Sequence, residues 1–237
     1  MKVHADLSLS IDGFGTPPHP TPEEPLGDDW FRLVASSTAT RTFRERVPGD
    51  TSGAGTTGVD DKYASAYVGE IGAQIMGAGM FGLDLHPHDP GWRGYWGENP
   101  PFHVPVFVLT HERRPELTME GGNVFRFLSA TPVDALALAA EAAEGRDVRI
   151  GGGPTVVREF LDAGLIDRLH VAIAPIPARR RSAALGRAAR PRTRLRRDDR
   201  SSGERHPAHH LLPQGHQHSC LVAVATRRRD ARHVFRS

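Results

Sequence analysis

A single cysteine, Cys220, stands among 237 residues. It excludes an internal disulfide framework and leaves the fold to a hydrophobic core, as expected of a protein of the reducing cytoplasm. Aromatic residues are scarce at 7%, within a hydrophobic content of 38%. No segment reaches the ~18 consecutive apolar residues of a transmembrane helix, so no membrane partner is expected. The start, "MKVHADLSLSIDGF", has one Lys and then alternates, which reads as a strand rather than a signal peptide. No Cys-x-x-Cys accompanies a His-x-Glu, which excludes zinc deaminase chemistry. "HPHD" (86–89) lies between prolines in a loop, and no metal site is expected there.

Charge divides the chain. Residues 1–176 carry 14 Lys and Arg against 24 Asp and Glu, whereas 177–237 carry 16 Arg, no Lys and 4 acids. The two parts are therefore read separately, as a folded domain over 1–176 and an Arg-rich tail over 177–237.

Within the first part, strands and helices alternate at short intervals. "KVHADLSLSI" (2–11) alternates as a strand and runs into a Gly/Pro-rich loop of the kind that lines sites. "DDWFRLVASSTATRTFRE" (28–45) has the acidic start and apolar spacing of a helix that frays. Asp60 or Asp61 is placed to cap a helix that contains Tyr63, Tyr67 and Ile71 at spacings of four. "VPVFVLT" (104–110) is an apolar run expected to be buried on both faces, and "NVFRFLS" (123–129) is a shorter strand. Thr131-Pro132 opens and Gly145 closes a helix, "RDVRI" (146–150) is a strand, and "RLHVAIAPI" (168–176) is another. This order points to an α/β layered domain with a mainly parallel sheet.

Two glycine clusters stand out. "IMGAGMFG" (75–82) spells G-x-G-x-x-G, the dinucleotide fingerprint, but Pro87 and Pro90 follow too soon for a crossover helix, so a Rossmann unit is not expected. Gly151-Gly152-Gly153 lies directly between a strand and the helix "PTVVREFLDAG". Glycines there admit positive φ and close ligand approach, and the helix start favours a phosphate. No Lys-Ser/Thr follows, which excludes the nucleoside-triphosphate P-loop.

"SIDGF", "QIMGAGMF", "WGENPPFHVPVFVLTHERRP" and "IGGGPTVVREFLDAGLIDRLHVAIAPI", in that order, resemble the dihydrofolate reductase-like family. Within it they are most similar to the branch related to the reductase domain of riboflavin biosynthesis. The resemblance spans about residues 2–176. It implies a three-layer α/β/α fold with a mostly parallel central sheet, NADPH as cofactor, and a homodimer as a common assembly. By matched motif it places Gly77 in a first phosphate-contacting turn, and Gly151, Gly152, Gly153 and Thr155 in the pyrophosphate turn. Thr110 and His111 fall at the adenosine end, and Arg113 and Arg114 are candidates for the 2′-phosphate. Where the family usually has Arg after Met-Gly, this chain has Ala78.

The implied activity is hydride transfer to a C=N or C=O bond of a small heterocycle, a ribosylated pyrimidine or a pterin. A carboxyl is the expected proton source, either Asp12 in "SIDG" or Asp28 or Asp29 ahead of Trp30 and Phe31, the substrate-binding pair. Folate enzymes hold an acid three residues before such a Trp-Phe; here that position is Gly27. A nucleotide-binding protein of the same fold with little turnover is the alternative, and a basic-tailed nucleic-acid binder a weaker one.

The tail departs from the family, which continues with a Leu-Trp-Asp-Gly segment and ends "GVTHITFYRK". Arg, Ala, Pro and Gly without Lys is the product of a GC-rich gene read out of frame. Suitable codons for "RHPAHHLLPQG" (205–215), shifted by one base, yield V-T-P-H-I-T-F-Y-R-K; the same shift over "SAALGRAA" (182–189) allows P-L-W-D-G-L. The expectation is a frame-shifted, irregular 177–237 whose final edge strands are missing or disordered, leaving "RLHVAIAPI" as an exposed edge.

Overall fold

The computed structural model describes residues 1–15, 20–22, 25, 30–47, 49–69, 71–177, 196–198 and 221–226. Among the described residues nine strands form one sheet. They are β1 (Val3–Ser10), β2 (Ile71–Gly77), β3 (Pro105–Leu109), β4 (Leu117–Thr118), β5 (Val124–Leu128), β6 (Asp147–Ile150), β7 (Arg168–Ala174), β8 (Arg196–Asp198) and β9 (Leu221–Thr226). Their order is β4-β5-β3-β2-β6-β1-β7-β9-β8. The six strands from β5 to β7 run parallel, and β4, β9 and β8 join antiparallel at the two sides. This is the expected mixed α/β fold with a mostly parallel sheet.

Helices cover both faces. They are α1 (Trp30–Leu33), α2 (Ala35–Thr38), α3 (Arg41–Arg46), α4 (Val59–Val68), α5 (Ala78–Phe81), α6 (Pro132–Ala142) and α7 (Pro154–Asp162). On one face α6 and α7 bury Ala135, Leu136, Ala139, Val156, Val157 and Phe160 against Val3, Ala5, Ile75, Val148 and Ile150. Period-two alternation in β1 aims those residues at the helices and puts His4, Asp6 and Ser8 on the other face. There α4 lies over β1, β6 and β7, with Tyr63 stacked on His170 and Tyr67 under the Arg149 guanidinium. Beside it α5 and the 92–102 loop close an aromatic cluster on Met76, Val106, Val108 and Phe125.

Local chemistry explains most boundaries. Thr131 caps α6 by accepting from the Asp134 N–H, with Pro132 at the first helical position. Gly164 takes φ +66° just past α7, the conformation that ends a helix most easily at glycine. The expected long helix over 28–45 is three short ones, α1 to α3. Thr40 is the cap between two of them, its side chain accepting from the Phe43 N–H. Residues 28 and 29 lie outside the described residues.

Two expectations are corrected. Asp60 and Asp61 do not cap α4: Gly58 is its N-cap, and both acids sit inside the first turn. Asp61 instead accepts from the Thr42 N–H at 2.8 Å. The second correction concerns the final strands, because β7 is not an exposed edge. β9 pairs with it over six residues, from Arg168↔Thr226 to Ile173↔Leu221, and β8 pairs with β9. "LVAVAT" is a run of apolar and β-branched residues, a strand former whatever the charge of its flanks. The rest of 178–237, including both segments of the frame-shift reading, lies outside the described residues. Among the described residues no helix is long and apolar enough to cross a membrane.

Candidate active site

A cavity of about 1280 Å³ opens between the glycine turns after β2 and β6, the α1–α4 segment, and the end of β3. Nine of the site residues expected from the sequence line it: Trp30, Phe31, Gly77, Thr110, His111, Gly151, Gly152, Gly153 and Thr155. The fold unites segments more than a hundred residues apart, because parallel strands end on the same side and release their loops there.

The two glycine turns are bonded to each other. The Gly77 N–H donates to the Gly152 carbonyl at 3.0 Å, and the Gly151 N–H to the Ile75 carbonyl at 2.8 Å. Each glycine answers a different demand. A Cβ on Gly77 would lie 2.8 Å from Val156 Cγ2, and one on Gly151 would lie 2.6 Å from Gln74 Nε2. Gly152 holds φ +112°, which L-residues with a side chain avoid. A Cβ on Gly153 would meet nothing within 4 Å, so the chain presents bare backbone to open space. Gly153 is also the N-cap of α7; no side chain caps that helix, and Pro154 brings no N–H. The dipole and first N–H groups of such a helix start favour an anion. Ala78 lines the cavity beside this turn, where an arginine would add charge.

At the other end, Thr110 Oγ1 accepts from the Glu112 N–H at 3.0 Å, and His111 Nδ1 lies 3.2 Å from Ser129 Oγ. The next two arginines part ways. Arg113 is exposed. Arg114 donates to Glu112 Oε1 at 3.1 Å and to the Trp92 carbonyl at 3.0 Å, and packs over Phe127. Neither lines the cavity. Trp30 and Phe31 meet edge to face at 5.2 Å on its wall, with Phe31 64% exposed. Asp12 stays outside: its Oδ1 accepts from Ser10 Oγ at 2.6 Å, while Ser10 Oγ accepts from the Phe14 N–H. That arrangement shapes the "SIDG" turn. Asp28 and Asp29 lie outside the described residues. Among the described residues no group of three or more His, Cys, Asp or Glu could hold a metal ion.

The polar side of the cavity carries no local motif in the sequence. Asp6, Asp60, Tyr63 and His170 line it. Asp6 and His170 are in register across β1 and β7, and His170 Nδ1 lies 2.8 Å from Asp6 Oδ1. Burial pushes the Asp6 carboxyl up, but the hydrogen bond from His170 and the His4 ring 3.9 Å away, with the charge of both, hold it below the ordinary carboxylate range. Asp60 is half-buried and moves the opposite way: burial raises it, only partly offset by His170. The available signal was two ionisable residues, His4 and Asp6, on one face of a strand whose other face is apolar.

The profile of the RibD C-terminal domain family matches residues 1–178. The chain belongs to this family. It is a reductase family of riboflavin biosynthesis, so the chain is an oxidoreductase acting on small molecules. A search of the curated proteins found no match. Among solved structures, the chain is similar to a protein from Shewanella sp. PV-4 assigned to riboflavin biosynthesis. Identity is 17%, with 97% of this chain and 100% of that chain covered, at a TM-score of 0.53. It is also similar to a pyrimidine reductase-like protein from Corynebacterium diphtheriae, at 17% identity, 97% and 92% coverage and a TM-score of 0.43. Dihydrofolate reductase from Enterococcus faecalis, complexed with NADP(H), follows at 12% identity, 95% coverage of both chains and a TM-score of 0.46. The likeness in fold rests on the first of these.

Proposed function

We propose that this reductase uses NADPH and reduces a C=N or C=O bond of a small ribosylated pyrimidine or pterin-type heterocycle. The observation that carries the reading is the Gly151–Gly153 turn. Bare backbone at Gly153 meets an α7 start without a side-chain cap, at the end of a cavity large enough for a dinucleotide and a second ring. Gly77, Gly151, Gly152, Gly153 and Thr155 would hold the diphosphate, with Thr110 and His111 at the adenosine. Arg113, exposed on the loop after β3, is the candidate for the 2′-phosphate. Arg114 already holds Glu112 and Trp92, so it acts by fixing that loop. Trp30 and Phe31 offer an aromatic wall for the substrate ring. The cofactor, once bound, supplies the hydride; the chain positions both rings, excludes water and manages the proton. The catalytic unit is assigned to 1–176, and the tail from 177 to a gene read out of frame.

A second reading, nucleotide binding with little turnover, is favoured by Ala78, which removes a charge from the first turn. Titrating the full chain with NADPH and NADH, followed by nicotinamide fluorescence, tests both readings. Tighter binding of NADPH, and its oxidation when a ribosylaminopyrimidine phosphate is added, is the expected result. Binding without oxidation selects the second reading. Failure to bind either cofactor would refute both.

A further inference from the structure

The two faces of the sheet differ in kind. Under α6 and α7 every central position is apolar, whereas under α4 the same strands present His4, Asp6, Gln74, Arg149, Arg168 and His170. Burying such a row is costly unless each polar atom finds a partner. Arg149 is satisfied: it donates to Gln74 Oε1 from Nε at 2.9 Å and from Nη2, and to the Tyr67 carbonyl at 2.5 Å. Among the described residues two buried side-chain atoms have no hydrogen-bond partner, Gln74 Nε2 and His170 Nε2. Of those two residues, only His170 lines the cavity. Its Nδ1 is occupied by Asp6, which fixes the ring and leaves Nε2 as the atom able to hold or give up a proton. Tyr63 stacks flat on the ring, centroids 4.3 Å apart at 9°.

We propose that His170 is the proton donor of the reduction and that Asp6 is its positioning residue, an inference that rests on the reductase reading above. The carbon of the reducible C=N or C=O would take the hydride that the cofactor, once bound, supplies, forming a C–H bond and leaving the cofactor oxidised. The π pair moves to the nitrogen or oxygen. That heteroatom takes the proton from Nε2–H of the imidazolium, breaking the N–H bond and leaving a neutral ring with Nδ1–H still on Asp6. Water returns the proton to Nε2. The ionisable groups around the ring are His4 and Asp6 on β1, Asp60 and Tyr63 on α4, and Arg168 two residues earlier on β7. Neither α2 nor β9 contains an ionisable residue. Of the carboxyls suggested by sequence, Asp12 is outside the cavity.

The test compares full-length wild type with H170Q, D6N, D28N and D29N. H170Q is expected to lower kcat by roughly 10²–10⁴-fold, leave NADPH affinity unchanged, and abolish one limb of the kcat pH profile. D6N lowers kcat less and displaces that limb, which a purely structural role for Asp6 would not do. A readout independent of turnover is the ¹⁵N signal of His170 Nε2, assigned with H170Q: it should shift when 5,6-diaminouracil is added. Wild-type kcat in H170Q, loss of turnover confined to D28N or D29N, or an Nε2 signal unmoved by diaminouracil would overturn the proposal. Failure of wild type to bind NADPH is a separate result and overturns the reductase reading itself.

Discussion

Alanine placed at two neighbouring glycines should have opposite consequences. At Gly151 the new Cβ would stand 2.6 Å from Gln74 Nε2 and 2.8 Å from its Cδ. Ordinary contact between such atoms is about 3.5–4.0 Å, so Gln74 must retreat by roughly 1 Å. It has little freedom to do so, being fully buried with Oε1 accepting from Arg149. Overpacking of this kind costs about 1–3 kcal/mol, and weakening a hydrogen bond to a buried cation adds about 1.5–3 kcal/mol. A loss of about 3 kcal/mol corresponds to a Tm lower by about 6–12 °C for a chain of this size. At Gly153 a Cβ meets nothing within 4 Å and φ is −81°, so G153A should cost less than about 1 kcal/mol. The methyl would, however, occupy the open space before α7, and NADPH affinity should fall about tenfold, or about 1.4 kcal/mol. Thermal melts followed by circular dichroism, paired with cofactor titrations, separate the two effects. A G151A protein that melts with wild type, or a G153A protein that binds NADPH equally well, would refute the reasoning.

Ala78→Arg should tighten NADPH and NADH alike by roughly tenfold, the scale of one added charge-assisted hydrogen bond, because the diphosphate beside this turn is common to both; paired titrations with the two cofactors measure it, and a gain confined to NADPH would contradict it. Asp6 is held below its unfolded value, so its contribution to stability is present above about pH 4 and is lost as pH falls through the lower folded value. Wild type should therefore lose Tm more steeply than D6N on acidification below that point, and parallel curves would contradict this. Asp60 is shifted upward by burial, so its charged form weighs against folding above the unfolded value. D60N should melt higher than wild type at neutral pH, and a lower Tm would show that Asp60 makes a stabilising contact. Sequencing the gene should recover, one base out of register with 205–215, codons for V-T-P-H-I-T-F-Y-R-K; a gene that cannot encode it in either shifted frame would end the frame-shift reading.

The parts of this site legible in the sequence were those whose meaning is local. Three consecutive glycines between a strand and a helix can be read without knowing the neighbours, as can Thr131-Pro132 at the start of α6. Asp6 and His170 could not be read this way. They are 164 residues apart, and only the parallel register of β1 and β7 makes them a pair. Asp60 had a sufficient local explanation as a cap and lost it only when Gly58 took that position. Arg114 looked like Arg113 in sequence, but folding gave one to Glu112 and left the other at the surface. β9 was overlooked because the charge around "LVAVAT" dominated its reading, while six apolar and β-branched residues were enough to pair with β7.

Hydride transfer from NADPH held at the Gly151–Gly153 turn is the chemistry proposed for this cavity. Mixing the full chain with NADPH deuterated at the transferred position and a ribosylaminopyrimidine phosphate, then analysing the product by mass spectrometry, tests it most directly. Deuterium in the reduced product, lost in G153A at limiting cofactor, is the predicted result. Tight NADPH binding with no deuterium in any product would contradict it.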